Sequence, residues 1–398
     1  MAEQTNKFAL FVLMFNMFIA FSGIGLIIPI MPSYLETFGA AGQALGFLVA
    51  ILSFSQFIFS PIAGNISDKH GRKHLIIFGL VIFGLSQLMF GMVDELWLLF
   101  VARFFTGLGS AFLVPPTMAF VADVTTYEDR GKGMSYLGAA ISLGFMVGPG
   151  IGGYLSNVSL QFPFYIATAV ALLSAVISFF ALPNIKPAEQ AGAIGAPKVQ
   201  ENILQQMKRS VHTTYFVLLI VVFVFSFGLA NFQSTITLYM DKHFNYSPGT
   251  ISIVLTFGGL AGVIVQTFFV SRLFKIFGEI KIILVNLVVA ALSLFAVLFV
   301  NEFWAILTVS TIFTTATTLI RPAVNTLISK FAGTEQGFAA GMNNAYMSLG
   351  NMVGPALAGV LFDIDMTYPY YLGTLILLIS FSISFVWYKR KEKVIAAL

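Results

Sequence analysis

Two arginines interrupt long apolar runs of this chain: Arg103, within Val101-Ala102-Arg103-Phe104-Phe105, and Arg321, within Leu319-Ile320-Arg321-Pro322-Ala323. A guanidinium inside a membrane span costs about 2.5–3.5 kcal/mol on insertion scales and cannot shed its proton. Each therefore needs a polar partner, an internal cavity or a path to an interface. Uncharged polar residues stand in similar surroundings: Asn16, Gln56, Ser142, Asn231, Gln233, Asn325, Asn343, Ser348 and Asn351, with Phe21 and Phe145 near them. Such a set suits the holding of an amphipathic molecule, with a few polar anchors among large apolar and aromatic walls that discriminate weakly. Acid–base catalysis is poorly provided for. The 17 Asp and Glu all fall at the ends of apolar runs or beyond them. The four histidines, His70, His74, His212 and His243, lie in or beside polar breaks, and the chain has no cysteine. Disulfides, thiolate metal sites and cysteine nucleophiles are excluded, and neither a metal nor a cofactor is expected.

Two motifs carry more information than single residues. Gly148-Pro149-Gly150-Ile151-Gly152-Gly153 fits the spacing of a dinucleotide fingerprint, but it follows no strand and lacks the acidic residue about 20 positions on that would hold a ribose. Inside an apolar helix, Gly144, Gly148, Gly152 and Gly153 instead remove bulk so that a neighbouring helix can approach. Pro149 removes a backbone donor and favours a bend there. The second motif is the polar stretch Gly64-Asn65-Ile66-Ser67-Asp68-Lys69-His70-Gly71-Arg72-Lys73, read as a loop between two apolar runs.

The elements that carry these residues follow from composition. At 398 residues, 58% hydrophobic and 10% charged, the chain cannot cover a water-facing surface, for which about 25% charged residues is usual. A soluble enzyme is excluded. Apolar segments fall near 8–35, 44–66, 74–92, 97–119, 133–156, 162–183, 213–239, 249–271, 280–300, 303–327, 337–362 and 370–388. Their lengths suit helices crossing about 30 Å of hydrocarbon, and not the short alternating strands of a barrel. The first run is too long for a cleaved signal sequence and is expected to stay as a span. The fold class is an all-α membrane protein with twelve transmembrane helices.

Twelve spans put both termini on one side, and this divides the 21 Lys and Arg sharply: eighteen on the terminal side, Lys242 alone opposite, and Arg103 and Arg321 within spans. Positive loops face the cytoplasm, so both termini are expected there, in a cytoplasmic membrane. The formal charge of +4 is thus topological and implies no nucleic-acid partner. The polar interruption around 184–212 reads as a linker between two bundles, residues 1–183 and 213–398. Those bundles repeat one another. Ser142-Leu143-Gly144-Phe145-Met146-Val147-Gly148-Pro149 aligns with Ser348-Leu349-Gly350-Asn351-Met352-Val353-Gly354-Pro355, an offset of 206 that Pro116 and Pro322 share.

The segment Gly64 to Lys73 matches the major facilitator loop signature at every fixed position, through Gly64, Asp68, Lys69, Gly71, Arg72 and Lys73. Gly148 to Gly153 resembles the fifth-helix motif of that superfamily's antiporters. Arg103, Gly107 and Gly109 resemble its fourth-helix motif, and Gly23 to Pro32 its first-helix pattern in twelve-span drug:proton antiporters. The likeness runs along essentially the whole chain and is greatest to Gram-positive multidrug exporters of the quinolone-resistance type. It implies the major facilitator fold, with two pseudo-symmetric six-helix halves around a midplane cavity, opened alternately to either side. It further implies export of amphipathic drugs and dyes, hence antibiotic resistance, by proton-coupled antiport from a monomer in the lipid bilayer. Acids that such exporters carry in spans seven and ten align here with Gln233 and near Thr318. That departure leaves Asp123 and Asp68 as the candidates to carry a proton. It also keeps open export of a specific sugar, lipid or metabolite, or uncoupled facilitation. A membrane-embedded enzyme is the remote alternative.

Overall fold

The computed structural model describes residues 5–40, 42–126, 129–184, 203–332 and 335–396. Its helices are α1 (Lys7–Ile27), α2 (Met31–Glu36), α3 (Gly42–His70), α4 (Arg72–Met92), α5 (Leu96–Val124), α6 (Arg130–Leu155), α7 (Phe162–Ala181) and α8 (Ile203–Ser210). The remainder are α9 (Phe216–Phe244), α10 (Pro248–Phe268), α11 (Val270–Phe277), α12 (Glu279–Ala296), α13 (Phe303–Ala332), α14 (Gln336–Ile364) and α15 (Tyr368–Ala396). Twelve stretches of these helices are long and apolar enough to cross a membrane. No strand occurs among the described residues.

Three sequence boundaries need correction. The first apolar run is two helices, because Pro32 sits in the first turn of α2 and a turn separates Ile27 from Met31. The run 249–271 divides at Phe269 into α10 and α11. The stretch Gly64 to Lys73 is hardly a loop at all. Helix α3 continues to His70, α4 begins at Arg72, and Gly71 alone makes the turn with φ 91°. Of the expected linker, residues 185–202 lie outside the described residues, while α8 occupies its end.

The chain forms two compact units, residues 1–187 with 233–259, and residues 188–232 with 260–398. In the first, α1 packs on α6 and α7, and α4 on α5 and α7, while α5 also packs on α3. Its buried cluster includes Leu13, Met17, Ile76, Leu80, Leu113, Phe120 and Val121. In the second, α12 packs on α13 and α15, and α14 touches both.

The glycine stripe of α6 is explained by its neighbour. A Cβ on Gly144 would stand 2.7 Å from the Phe18 carbonyl oxygen, and one on Gly148 would stand 2.6 Å from that of Ser22. Gly152 lies against the Leu26 backbone, and Gly153 against Ser252 and the Pro248 carbonyl. In the second unit, a Cβ on Gly350 or Gly354, 206 residues later, would stand 2.5 or 2.6 Å from the carbonyl oxygen of Phe223 or Phe227. The internal repeat thus preserves one packing device: small residues that let two helix backbones touch.

A second shared device is the positive-φ turn. Gly278, with φ 75°, precedes α12 as Gly71 precedes α4, 207 residues earlier. A Cβ on Gly278 would meet nothing within 4 Å. Gly278→Ala therefore isolates the cost of a positive-φ, extended backbone that essentially only glycine adopts, about 1–3 kcal/mol. The expected result is a lower melting temperature of the detergent-purified protein without loss of its monodisperse peak.

Candidate functional site

In the first unit Arg103 projects from α5, one face of which meets α4. It is 4% exposed, and its guanidinium carbon lies 4.7 Å from the centroid of the Phe90 ring on α4. Phe90 in turn packs on Tyr34 and Phe164, with ring centroids 5.8 and 5.0 Å away. Among the described residues Arg103 has neither an ion-pair nor a hydrogen-bond partner, and its Nε is buried and unpaired. Gln87, one turn before Phe90 on α4, is fully buried; its Nε2 donates to the Gly23 carbonyl at 3.3 Å and its Oε1 accepts nothing. The Tyr34 hydroxyl donates to the Phe90 carbonyl at 2.7 Å, and burial, aided by Tyr165 and Asp94, pushes its pKa up to about 12. It stays a hydrogen-bond donor at any physiological pH.

The other polar residues divide into bridges and accessible groups. Asn16 on α1 is fully buried and donates to the Ser178 hydroxyl on α7 at 2.8 Å. Phe21 and Phe145 meet across α1 and α6 as a tilted pair with centroids 5.0 Å apart, and Phe145 is 38% exposed. Gln56, Ser142 and Gln233 are half-buried. In the second unit, Asn231 is buried and donates to the Pro369 carbonyl at 3.1 Å. Asn343, Ser348 and Asn351 lie half-buried along α14, and the Asn343 carbonyl oxygen is unpaired. Arg321 on α13 is exposed. It too makes no ion pair among the described residues. Every acidic residue in the described helices lies within about one turn of a helix end.

The motif residues at the α3–α4 turn hold helix ends together. Arg72 pairs with Asp123 at the end of α5, at 2.8 Å, with side chains 22% and 30% exposed. Lys73 donates to the Leu182 carbonyl at 2.7 Å and lies over the Phe179 ring. The side chains of Asp68 and Lys69 lie outside the described residues, although their backbone is helical; Gly64 is half-buried in the same helix. The sequence reading missed a counterpart in the second unit: Glu279 accepts from Lys330 at 3.0 Å. These residues stand 207 positions after Arg72 and Asp123, so the repeat offset itself could have found them. The signs are exchanged. Asp123→Arg alone is expected to bring two cations together and lower the melting temperature, at a cost of about 1 kcal/mol for so accessible a pair. Adding Arg72→Asp restores most of it, as a double-mutant cycle of thermal unfolding would show.

A polar recess of about 590 Å³ in the first unit is lined by Ser33, Glu36, Asp241, Lys242, Asn245, Tyr246, Ser247 and Pro248. There the Ser33 hydroxyl donates to Asp241 at 3.4 Å, linking α2 to the end of α9. None of the polar residues from the middle of the spans reaches it. No group of three or more potential metal ligands occurs among the described residues.

The family model described as Major Facilitator Superfamily matches residues 13–229 and 218–397. Multidrug resistance protein 2 of Bacillus subtilis is 38% identical over 390 residues, covering 98% of this chain and 97% of that one. The quinolone resistance protein NorA of Staphylococcus aureus is 36% identical over 364 residues, 92% of each chain. Among solved structures, a bacterial homologue of the human lysosomal transporter Spinster, inward-facing and occupied, superposes with a TM-score of 0.76. It has 14% identity, with 98% of each chain covered.

Proposed function

This chain belongs to the Major Facilitator Superfamily, and on that premise we propose that it exports amphipathic drugs and dyes by alternating access, driven by proton entry. The single observation that carries the reading is likeness along nearly the full length of both chains to a multidrug resistance protein. The apolar and aromatic character of the twelve membrane-capable helices, with few polar groups among them, supports broad recognition over a single close fit. The uneven division of Lys and Arg supports termini on the cytoplasmic face of a cytoplasmic membrane. The working unit is a monomer of two repeated bundles, residues 1–183 and 213–398, joined by 184–212. Arg103, Arg321 and the accessible polar residues of the spans contact substrate. Asp123 or Asp68 carries the proton, and protonation of Asp123 weakens its hold on Arg72.

One observation favours a second reading. No acidic residue stands in the interior of the described spans, which fits an uncoupled facilitator, or an exporter of one sugar, lipid or metabolite. Dye efflux from proteoliposomes under an imposed pH gradient separates the readings. Antiport requires efflux to rise with the inward proton gradient and to stall on its collapse. Gradient-insensitive efflux establishes facilitation, and movement of only one compound in a broad panel establishes a narrow exporter. Asp123→Asn and Asp68→Asn that both leave gradient-driven efflux intact remove these two carboxylates from the coupling scheme.

A further inference from the structure

We propose that the short helix α11 and the start of α12 form a binding surface for anionic phospholipids, with Arg272, Lys275 and Lys281 meeting headgroup phosphates while Ile276 and Phe277 enter the acyl layer. Such a surface needs only a membrane-inserted chain, whatever it exports. Three observations lead there. First, the repeat changes character at this place. At the offset of 207 that equates Gly71 with Gly278, residues 64–70 of α3 correspond to residues 271–277. The first copy, Gly64-Asn65-Ile66-Ser67-Asp68-Lys69-His70, is mostly polar and continues one long helix. In the second, Ser271-Arg272-Leu273-Phe274-Lys275-Ile276-Phe277, the acid is a lysine and three polar positions are apolar. A helix end meant for water has no use for that exchange.

Second, α11 is amphipathic and part of its apolar side is uncovered. At helical spacing Val270, Leu273, Phe274, Ile276 and Phe277 share one side, and Arg272 and Lys275 the other. Helix α11 packs on α12, and Leu273 and Phe274 are half-buried. Ile276 and Phe277, however, are 63% and 54% exposed, and Phe268 and Phe269, just before the helix, are 73% and 51% exposed. Third, the charge beside them has one sign. Arg272, Lys275 and Lys281 are exposed, and none has an ion-pair or hydrogen-bond partner among the described residues. Between Asp241 and Glu302 the sole acid is Glu279, which Lys330 already holds at 3.0 Å. An apolar side that enters the interface with cations along its edge is attracted to anionic lipid, because the long basic side chains reach the headgroups while the rings sit deeper.

The chain has no cysteine, so a single introduced thiol can carry a bimane label. Ile276→Cys places it on the proposed surface, and Leu173→Cys, 57% exposed in the middle of α7, serves as the control. The labelled full-length proteins are reconstituted in vesicles of mixed phosphatidylcholine and phosphatidylglycerol, with brominated acyl chains on one lipid or the other as quencher. At position 276 phosphatidylglycerol is expected to be favoured about fivefold, the scale of one cation near an anionic surface. Neither lipid should be favoured at position 173. High salt should weaken the preference, a readout that needs no further substitution. Arg272→Gln, Lys275→Gln and Lys281→Gln together should abolish it while quenching by both lipids persists.

Equal quenching by the two lipids at position 276 overturns the proposal. So does a preference that survives the triple substitution, or one that position 173 shares. Quenching by neither lipid overturns it too. A label that then responds to polyglutamate assigns the surface to an acidic protein, and one that responds to protein density assigns it to a second copy. Dye export enters none of these measurements, so failure of the exporter reading and failure of the lipid surface remain distinct.

Discussion

Replacing Gly148 by leucine is expected to abolish dye export and leave little folded protein. The reason is distance. A Cβ at this position would stand 2.6 Å from the Ser22 carbonyl oxygen and 3.0 Å from the Leu26 nitrogen. Backbone atoms cannot rotate aside as a side chain can. The whole α1–α6 contact must therefore open, and with it the apposition of Gly144 to Phe18 and of Gly152 to Leu26. Overpacking in an ordinary core costs about 1–3 kcal/mol, and here no flexible neighbour absorbs it. Gly138→Leu, on the same helix, is the control, since a Cβ there would meet nothing within 4 Å. Size-exclusion profiles of the two variants in detergent should differ sharply. A monodisperse, thermally normal Gly148→Leu protein would refute the account of the glycine stripe.

Arg103→Met should move stability and function in opposite directions. Methionine keeps the length of the side chain and its contact with Phe90, and removes a charge that no described residue offsets. Exchange of buried ionic groups for apolar ones of similar volume is often neutral or stabilising by about 1–4 kcal/mol. The melting temperature should rise, while dye export falls to background. Scanning fluorimetry beside a transport assay reads both. A fall in both would show that Arg103 serves the fold, with its partner supplied by the protein after all. Sites that work at the expense of stability are expected where function requires them.

Much of this architecture was legible in the residues. Apolar run length found all twelve membrane-capable helices, because the hydrocarbon sets a minimum length that few other segments meet. Hydropathy reads the bilayer, however, and not the helix. Asn65, Ser67, Asp68 and Lys69 leave the apolar layer without leaving α3, so a polar stretch resembled a loop. Conversely, Ile28, Ile30 and Met31 continue the apolar run through a helix break that only Pro29 and Pro32 signalled. Arg103 stood out by its cost alone. That no described group meets it could not be read, since the absence of a partner depends on which faces of α4 and α5 come together. Asn16 and Asn231 show the same limit. Both looked like anchors for a guest molecule, and both bond to neighbouring helices, through Ser178 and the Pro369 carbonyl.

The ion pairs at the helix ends bear on how freely the two repeats can exchange parts. Arg72 meets Asp123 in one, and Glu279 meets Lys330 in the other. A chimaera that grafts α12 in place of α4, and nothing else, would set Glu279 opposite Asp123, acid against acid. The reciprocal graft would set Arg72 opposite Lys330. Moving α4 together with α5 into the place of α12 and α13 carries a complete couple and avoids both clashes. Segment-swapped chains should therefore be tolerated by pairs of helices and rejected singly, so that the smallest portable piece of this protein is a helical hairpin.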